Sequence, residues 1–159
     1  MTATHPFDIR PDDLRGPEIA ALIAEHLADV TRHAPPESTH ALDLDALRAP
    51  DLSFWSAWDG EELIGCGALR ELTADHGEIK SMRTSPRHRR RGVGAALLRH
   101  LISVADDRGY RRLSLETGAQ SAFDPARALY ARHGFTPSPP FGSYREDPNS
   151  MFMTRTFDR

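Results

Sequence analysis

The clearest repeating pattern in the chain is the helical spacing of apolar positions in two segments. After Gly16-Pro17-Glu18, which is typical of a helix start, apolar residues recur every three or four positions, and a helix is predicted to about Arg32. Gly92–Arg108 carries one apolar stripe and is followed by Gly109, where a capping glycine belongs. Two shorter helices are predicted at Asp43–Arg48 and between Asp124-Pro125 and Gly134.

Between these helices, short apolar and alternating runs predict strands. Asp59-Gly60 lies between two such runs and is a strong hairpin signal. A second turn at Ala74–Gly77 leads into a third strand of the same meander. Strands are predicted at Phe7–Arg10, Leu52–Trp58, Glu62–Leu72, Glu78–Thr84, Arg112–Thr117, from Phe135 onward, and at Met151–Phe157. Because helices connect several of them, the expected class is α/β (α+β), with a mixed sheet that has helices on its faces.

Length and composition fit a single domain over residues 1–159. With 39% hydrophobic and 27% charged residues, a chain of 159 residues can bury a sizeable core. Cys66 is the one cysteine, which excludes an internal disulfide, and no apolar run is long enough to span a membrane. The first residues show neither a cationic start nor an apolar stretch, so no secretory signal is predicted and the cytoplasm is the expected location.

Charge is distributed very unevenly, although the net charge is only −3. Residues 1–78 hold 16 acidic and 5 basic side chains, whereas residues 79–105 hold 7 basic and no acidic ones. This basic block contains Arg89-Arg90-Arg91 directly before a helix that opens with Gly92-Val93-Gly94. A helix N-terminus offers free amides and the positive end of the helix dipole, and glycine lets a phosphate come close. The segment therefore predicts a site for a pyrophosphate or a similar anion, with arginine donors beside it.

Two common nucleotide motifs do not account for this segment. A P-loop needs Gly-Lys-Ser/Thr at the helix start, but here Gly94 is followed by Ala95-Ala96. A dinucleotide-binding fingerprint needs a third small residue where this chain has Leu97, and it needs a tighter turn between strand and helix. Hydrolysis of ATP or GTP and binding of a dinucleotide are therefore not expected.

The six residues from Arg89 to Gly94 match the Gln/Arg-x-x-Gly-x-Gly/Ala signature of a known family. The chain here resembles the GNAT superfamily of acetyl-CoA-dependent N-acetyltransferases. Met82–Pro86 looks like the strand end and proline turn that precede the signature, and Ala126–Phe135 looks like the family's second landmark. The element order agrees over roughly residues 5–157. The resemblance implies a mostly antiparallel sheet of about 6–7 strands, acetyl-CoA as co-substrate, and no metal.

The resemblance also implies contacts to the cofactor. The amides from Arg90 to Ala95 and the side chain of Arg89 would hold the pyrophosphate, and the backbone of Met82 and Thr84 would pair with the pantetheine arm like an added strand. The residues implied to bind the cofactor are Met82, Arg83, Thr84, Arg89, Arg90, Arg91, Gly92, Val93, Gly94, Ala95 and Tyr130. Many family members have Asn near the position of Phe123, so a side-chain contact to pantetheine is in doubt at that point.

The same resemblance assigns catalytic roles. Tyr130 would protonate the departing thiolate, and Glu78 would take a proton from the incoming ammonium, directly or through water. The Met82 amide is a candidate donor to the acetyl carbonyl. Glu116 could contact the substrate or replace Glu78. Tyr144 is the residue to test first in the loop Pro137–Asn149, which, with Pro36–Leu42, is expected to border the amine pocket.

Other residues receive simpler interpretations. Arg83 is expected to pair with Glu78 or Glu116, or else to bind an acidic group of the substrate. His76 and His133 are expected to be exposed at a turn and at a helix end. Packing residues are predicted at Cys66, Trp55 and Trp58.

Alternatives to an N-acetyltransferase stay open from the sequence. The basic block could belong to a nucleic-acid-binding module, but the acidic first half argues against a nucleic-acid partner. A CoA-binding fold could also lack catalysis, or use an acyl donor longer than acetyl. The expected partner is a small amine or an amino-acid-like acceptor, with no membrane partner; the acidic first half hints at a cationic acceptor. A homodimer is a further possibility that the resemblance raises.

Overall fold

The residues that the structure describes form seven strands and three α-helices around one central sheet. The computed structural model describes residues 7–33, 35–36 and 41–159. The strands are β1 (Asp8–Pro11), β2 (Leu52–Asp59), β3 (Glu62–Thr73), β4 (His76–Thr84), β5 (Arg112–Gly118), β6 (Thr136–Ser138) and β7 (Ser150–Thr156). The helices are α1 (Pro17–His33), α2 (Val93–Asp107) and α3 (Asp124–Arg132), and short 3-10 turns lie at Ala46–Arg48, Pro86–His88 and Ser121–Phe123.

Neighbouring strands follow the order β1-β2-β3-β4-β5-β7-β6 across the sheet. Every pair is antiparallel except β4 and β5, which run parallel because helix α2 connects them as a crossover. The prediction of a mixed, mostly antiparallel sheet with helices on both faces is confirmed.

The two faces of the sheet are covered by different helices. Helix α1 packs Ile19 and Ile23 on a cluster that includes Phe54, Cys66 and Ala68. On the opposite face, α2 and α3 cover a larger cluster with members from β3, β4, β5 and β7. The predicted packing role is confirmed for Cys66, which is 0% exposed, and for Trp55, which is 8% exposed.

The expectation that His76 is an exposed turn residue is wrong. The hairpin between β3 and β4 turns at residues 74–75, so His76 already pairs with Thr73 and with Arg112 of β5. Its ring is buried, and its Nε2 lies 2.8 Å from the hydroxyl of Ser114. Pairing with β5, a strand distant in sequence, extends β4 beyond what the local turn signal indicates.

The middle of the sheet opens between β4 and β5. Their ladder consists of four residue pairs and ends at Ile79–Leu115. Beyond that pair β4 continues for five residues to Thr84 and β5 for three to Gly118. A bulge lies at this point, where β4 residues 81 and 82 face the single β3 residue 67. Ser81 there has φ 54°, and the bulge bends β4 away from its parallel neighbour.

Candidate active site

A cavity of about 140 Å³ occupies the opening between β4 and β5. Lys80 and Glu116, the next residues after the last ladder pair, line it from the face that α1 covers. Met82 and Tyr130 line it from the face that α2 and α3 cover. The cavity therefore reaches both faces of the sheet, and two molecules entering from opposite sides can meet in it.

A left-handed backbone turn precedes the N-terminus of α2, next to the end of β4. Arg90 has φ 66° and Gly92 has φ 82°, so successive amides turn toward one side, as they do in anion-binding loops. Arg89, Arg90 and Arg91 are exposed, whereas Val93 is buried and fixes the first turn of the helix. We call residues 89–92 the arginine loop. Its amides, the helix end and the adjacent guanidinium groups fit a pyrophosphate.

Close packing around Gly94 holds the start of α2 in place. A Cβ atom at this glycine would lie 3.3 Å from Leu129 Cδ2 and 3.5 Å from Thr84 Oγ1. Arg91 is also fixed, because its guanidinium lies 2.7 Å from the Asp59 carboxylate. Packing at Gly94 and the pairing of Arg91 thus connect the arginine loop to neighbouring elements.

Tyr130 is a rigid, protonated donor at the cavity wall. The amide of Phe135 donates to the Tyr130 carbonyl at 3.1 Å across Gly134, whose φ is 89°, and the rings of Tyr130 and Phe135 pack edge to face. Burial, with a smaller contribution from the Glu116 carboxylate, raises the pKa of the Tyr130 hydroxyl to about 12. The hydroxyl therefore carries its proton near neutral pH and can give it up as a general acid.

Glu78, Lys80 and Tyr144 form a buried cluster on the α1 face, called here the Glu78 cluster. The Tyr144 hydroxyl donates to Glu78 Oε2 at 2.5 Å and accepts from Lys80 Nζ at 2.7 Å, while Nζ and Oε2 are 3.4 Å apart. Glu78 is 1% exposed and does not line the cavity, whereas Lys80 does. Contact with the cavity is therefore made by Lys80, with Glu78 behind it.

His26 of α1 and Glu116 of β5 complete the polar wall on this face. Burial and, to a smaller extent, the nearby Arg83 guanidinium together lower the pKa of His26 to about 4. His26 is therefore a neutral imidazole near neutral pH, and it can donate or accept a hydrogen bond without adding charge to the cavity.

Arg83 does not pair with Glu78 or Glu116, so that expectation is wrong. Its guanidinium lies 3.0 Å from Glu25 and 2.6 Å from Asp29, both on α1. The bulge in β4 sends Arg83 to the α1 face, where these carboxylates lie one helical turn apart. Arg83 thus connects strand β4 to α1 beside the cavity, and its hydrogen bond to Asp29, together with its charge, lowers the pKa of that carboxyl.

Comparison with known proteins identifies the family to which this chain belongs. The model of the acetyltransferase (GNAT) family matches residues 20–135. The chain belongs to the GNAT family. It is 56% identical over 147 residues to an uncharacterized N-acetyltransferase, YsnE, of Bacillus subtilis (strain 168), covering 92% of this chain and 97% of that protein. It is 51% identical over 150 residues to an uncharacterized N-acetyltransferase, YedL, of Escherichia coli (strain K12), covering 94% of each.

A solved structure supports the same assignment. The putative acyl-CoA N-acyltransferase from Klebsiella pneumoniae subsp. pneumoniae MGH 78578 superposes with a TM-score of 0.76 at 28% identity, covering 94% of this chain and 97% of that one. This GNAT protein is accordingly an acyl-CoA-dependent N-acetyltransferase. A non-catalytic module that binds CoA or nucleic acid through the basic block is not favoured. In the part of the chain that the structure describes, no helix is long and apolar enough to cross a membrane.

Each of the two loops expected to border the amine pocket contributes a residue to the wall of the cavity. Ala41 lines it from the first loop and Asn149 from the second. Residues 37–40 of the first loop lie outside the described residues. Phe123, at the position where many family members have Asn, also lines the cavity, and its ring lies 2.3 Å from where a Cβ of Gly118 would be. Glycine at position 118 therefore makes room for the aromatic ring.

Two cavity residues, Lys80 and His26, were not singled out from the sequence. His26 sits within the apolar stripe of α1, which gives it the appearance of a core position. For Lys80 a signal was available, because it is the one lysine among 20 basic residues.

Proposed function

We propose that this GNAT enzyme transfers an acetyl group from acetyl-CoA to the primary amine of a small-molecule or amino-acid-like acceptor, with both substrates bound together. One observation supports this above all others: a single cavity reaches both faces of the sheet, with Tyr130 on one side and Glu116 and Lys80 on the other. Such a cavity lets an amine approach from the α1 face while the thioester is held from the α2 face.

The cofactor would be held by backbone groups more than by side chains. The amides of residues 90–95 and the Arg89 side chain would bind the pyrophosphate, and Arg91, although paired with Asp59, would add positive charge. Where the ladder has ended, the backbone of Met82 and Thr84 would pair with the pantetheine arm. The cofactor contact predicted for Arg83 would involve its backbone and not its side chain, because the side chain pairs with two carboxylates of α1.

Each residue has one task during transfer. Bound acetyl-CoA supplies an activated acyl carbon as a thioester. The acceptor nitrogen, once deprotonated to the neutral amine, attacks that carbon, an N–C bond forms and the C–S bond breaks. The nitrogen loses its second proton as the amide forms, and this proton restores the Tyr130 hydroxyl after Tyr130 has protonated the sulfur. Tyr130 gives its proton to the departing sulfur, which prevents release of a thiolate into a poorly solvated cavity. The Met82 amide would polarise the acetyl carbonyl.

Two carboxylates compete for the proton of the incoming ammonium. Glu116 lines the cavity and can take the proton directly, whereas Glu78 reaches the cavity through Lys80 and Tyr144. We therefore propose Glu116 as the immediate acceptor and Glu78 as the alternative base, acting through its cluster or a water. Glu116→Gln should lower kcat/KM more than Glu78→Gln if this order holds, and the reverse result would restore Glu78 as the base.

The decisive experiment combines cofactor binding with turnover. Acetyl-CoA at about 100 times its Kd should stabilise the folded state by about 2.7 kcal/mol, which is roughly 5–11 °C in Tm for a chain of this size. Release of the CoA thiol should then be measured over a panel of amines, amino acids, polyamines and aminoglycosides. Absence of a thermal shift with millimolar acetyl-CoA would contradict the cofactor site. A shift with acyl-CoA of longer chain alone would replace acetyl by that acyl group.

A further inference from the structure

Ser81, in the bulge of β4, has a backbone conformation that serine rarely adopts. Its φ of 54° lies in the left-handed region, where the Cβ atom of an L-residue crowds the following carbonyl oxygen. Glycine enters this region without that crowding and is the usual residue where a strand needs it. The bulge by itself therefore does not explain why this position carries a side chain.

The Ser81 hydroxyl is buried but unpaired. Among the residues that the structure describes, none lies within hydrogen-bond distance of its oxygen. A buried hydroxyl without a partner destabilises a fold, because the hydrogen bonds it made to water are not replaced. The side chain lines the cavity between β4 and β5, where a substrate atom can supply the partner. Backbone strain and an unpaired polar group at one cavity residue together indicate a functional position.

The backbone of Ser81 is fixed from the neighbouring strand. Cys66 Sγ of β3 lies 3.3 Å from the Ser81 carbonyl oxygen. Burial raises the pKa of the Cys66 thiol to about 12, so the thiol keeps its proton and donates it to that oxygen. The carbonyl of Ser81 and the amide of Met82 belong to one planar peptide group, so this contact also fixes the orientation of the Met82 amide.

We propose that the Ser81 hydroxyl is a catalytic hydrogen-bond donor to the carbonyl oxygen of the transferred acyl group, next to the Met82 amide. The inference rests on the proposed function, which places the thioester in this cavity. The pyrophosphate site lies beyond the Thr84 end of β4, so a pantetheine arm along Met82 and Thr84 would bring its acyl end toward Ser81.

The hydroxyl keeps its proton in this role. As the nitrogen attacks, the electron pair of the C=O bond moves onto the oxygen, and it returns when the C–S bond breaks. A donor held in place beforehand stabilises that transient negative charge without reorganising. Because the hydrogen bond is strongest while the charge is present, Ser81 should contribute more to kcat than to the binding of acetyl-CoA.

The most direct test measures the acyl carbonyl itself. A hydrogen bond to a carbonyl oxygen lowers its C=O stretching frequency, which isotope-edited infrared difference spectra of bound acetyl-CoA report without any acceptor. Ser81→Ala keeps the Cβ atom and its backbone strain but removes the hydroxyl, so the carbonyl band should move to higher frequency. The Kd for acetyl-CoA should change little.

Stability and turnover give two further measurements on the same variant. Without ligand, the Tm of Ser81→Ala should equal or exceed that of the wild type, because an unpaired buried hydroxyl is removed. Its kcat should fall about 10-fold, with the KM for the acceptor nearly constant. Ser81→Gly, which also relieves the strain, should show the same loss of kcat.

Ser56→Ala is the matched control, because the Ser56 hydroxyl is also buried but has two partners. It donates to Asp12 at 2.6 Å and accepts from Trp58 at 2.8 Å, on β2 and outside the lining of the cavity. This variant should lower the Tm and leave both kcat and the carbonyl band unchanged.

The outcomes separate the inference from the proposed function. A carbonyl band at the wild-type frequency in Ser81→Ala would overturn the role of Ser81 while leaving the acetyltransferase intact. A Ser81→Gly enzyme with wild-type kcat, or a rise in acceptor KM alone, would overturn it as well. A wild-type enzyme that gives neither a thermal shift nor a bound carbonyl band with acetyl-CoA would overturn the proposed function, and the inference with it.

Discussion

Strand β4 carries both halves of the proposed active site, and the two halves are built differently. Its last residues lead into the arginine loop, where the proposed cofactor contacts are backbone amides of residues close in sequence. Its first half carries the Glu78 cluster, where the proposed acceptor site consists of side chains and Tyr144 lies 64 residues after Lys80 in the chain. The cofactor half therefore depends on local backbone geometry, and the acceptor half on tertiary packing. Substitutions should affect the two halves in different ways.

The largest effect on turnover is expected at Tyr130, which lines the cavity between the two halves. Tyr130→Phe removes the proposed general acid without changing ring packing, so kcat should fall about 100-fold while the Kd for acetyl-CoA stays nearly constant. Tyr110→Phe is the matched control, because Tyr110 is also buried but donates to Glu71, away from the cavity. A Tyr130→Phe enzyme with wild-type kcat and weakened cofactor binding would assign Tyr130 a structural role in the cofactor half.

Tyr144→Phe should destabilise the acceptor half by about 2 kcal/mol, because the buried Glu78 carboxylate loses a hydrogen-bond donor. The expected fall in Tm is roughly 4–8 °C, measured by calorimetry. Tyr110→Phe again provides the comparison: its partner Glu71 is exposed, so water replaces the lost hydroxyl and the fall should be smaller. The Kd for acetyl-CoA should not change in either variant; a marked change in Tyr144→Phe would show that the two halves are coupled.

His26 should make stability depend on pH. Its pKa is lowered to about 4 in the folded state, so the unfolded chain binds the proton more readily. The contribution of the neutral imidazole to the free energy of unfolding is fully present above the ordinary histidine pKa near 6.5, and it is lost as the pH falls toward 4. Between pH 7 and pH 5 the loss is about 1–2 kcal/mol. His26→Gln should remove about this much of the pH-dependent decline in the free energy of unfolding, measured by denaturant titration at pH 7 and pH 5. Identical pH profiles for wild type and variant would show that the imidazole is not buried in solution.

Two glycines at opposite ends of α2 provide the smallest but cleanest comparison. Gly92 and Gly109 have φ of 82° and 80°, and a Cβ at either would meet open space. Alanine at each should cost about 1 kcal/mol, because both hold a left-handed backbone. Only Gly92→Ala should also raise the Kd for acetyl-CoA, by about 10-fold, since only Gly92 belongs to the proposed pyrophosphate site. Equal Kd values in titrations of both variants would contradict the assignment of the arginine loop.

The same contrast explains which parts of the molecule could be predicted from the sequence. Helix α2 and its flanking glycines were predicted nearly to the residue, because capping and apolar spacing are local properties. The arginine loop was likewise identified from six consecutive residues. The mixed sheet with helices on its faces was also predicted, because hairpin signals and crossover helices leave few arrangements open.

The acceptor half could not be predicted in the same way. Arg83 is separated from Glu25 by 58 residues, and no local pattern indicates that a bulge at Ser81 turns its side chain toward α1. His76 was assigned to a turn because the adjacent residues have turn character, whereas pairing with β5 decides its burial. Contacts of this kind are set by the tertiary fold, and composition gave only one clue to them, the solitary Lys80.

The ladder that ends at Ile79–Leu115 gives the protein an edge inside its sheet. Amide protons of β4 beyond that pair that face β5 lack the protection of a neighbouring strand, so they should exchange with deuterium as readily as those of an outer strand. A pantetheine arm lying along this edge would slow their exchange without moving the fold. The centre of the sheet is ordinarily the slowest-exchanging region of an α/β protein. Here its rate of hydrogen exchange would report the fraction of enzyme with bound cofactor, and the measurement needs no acceptor.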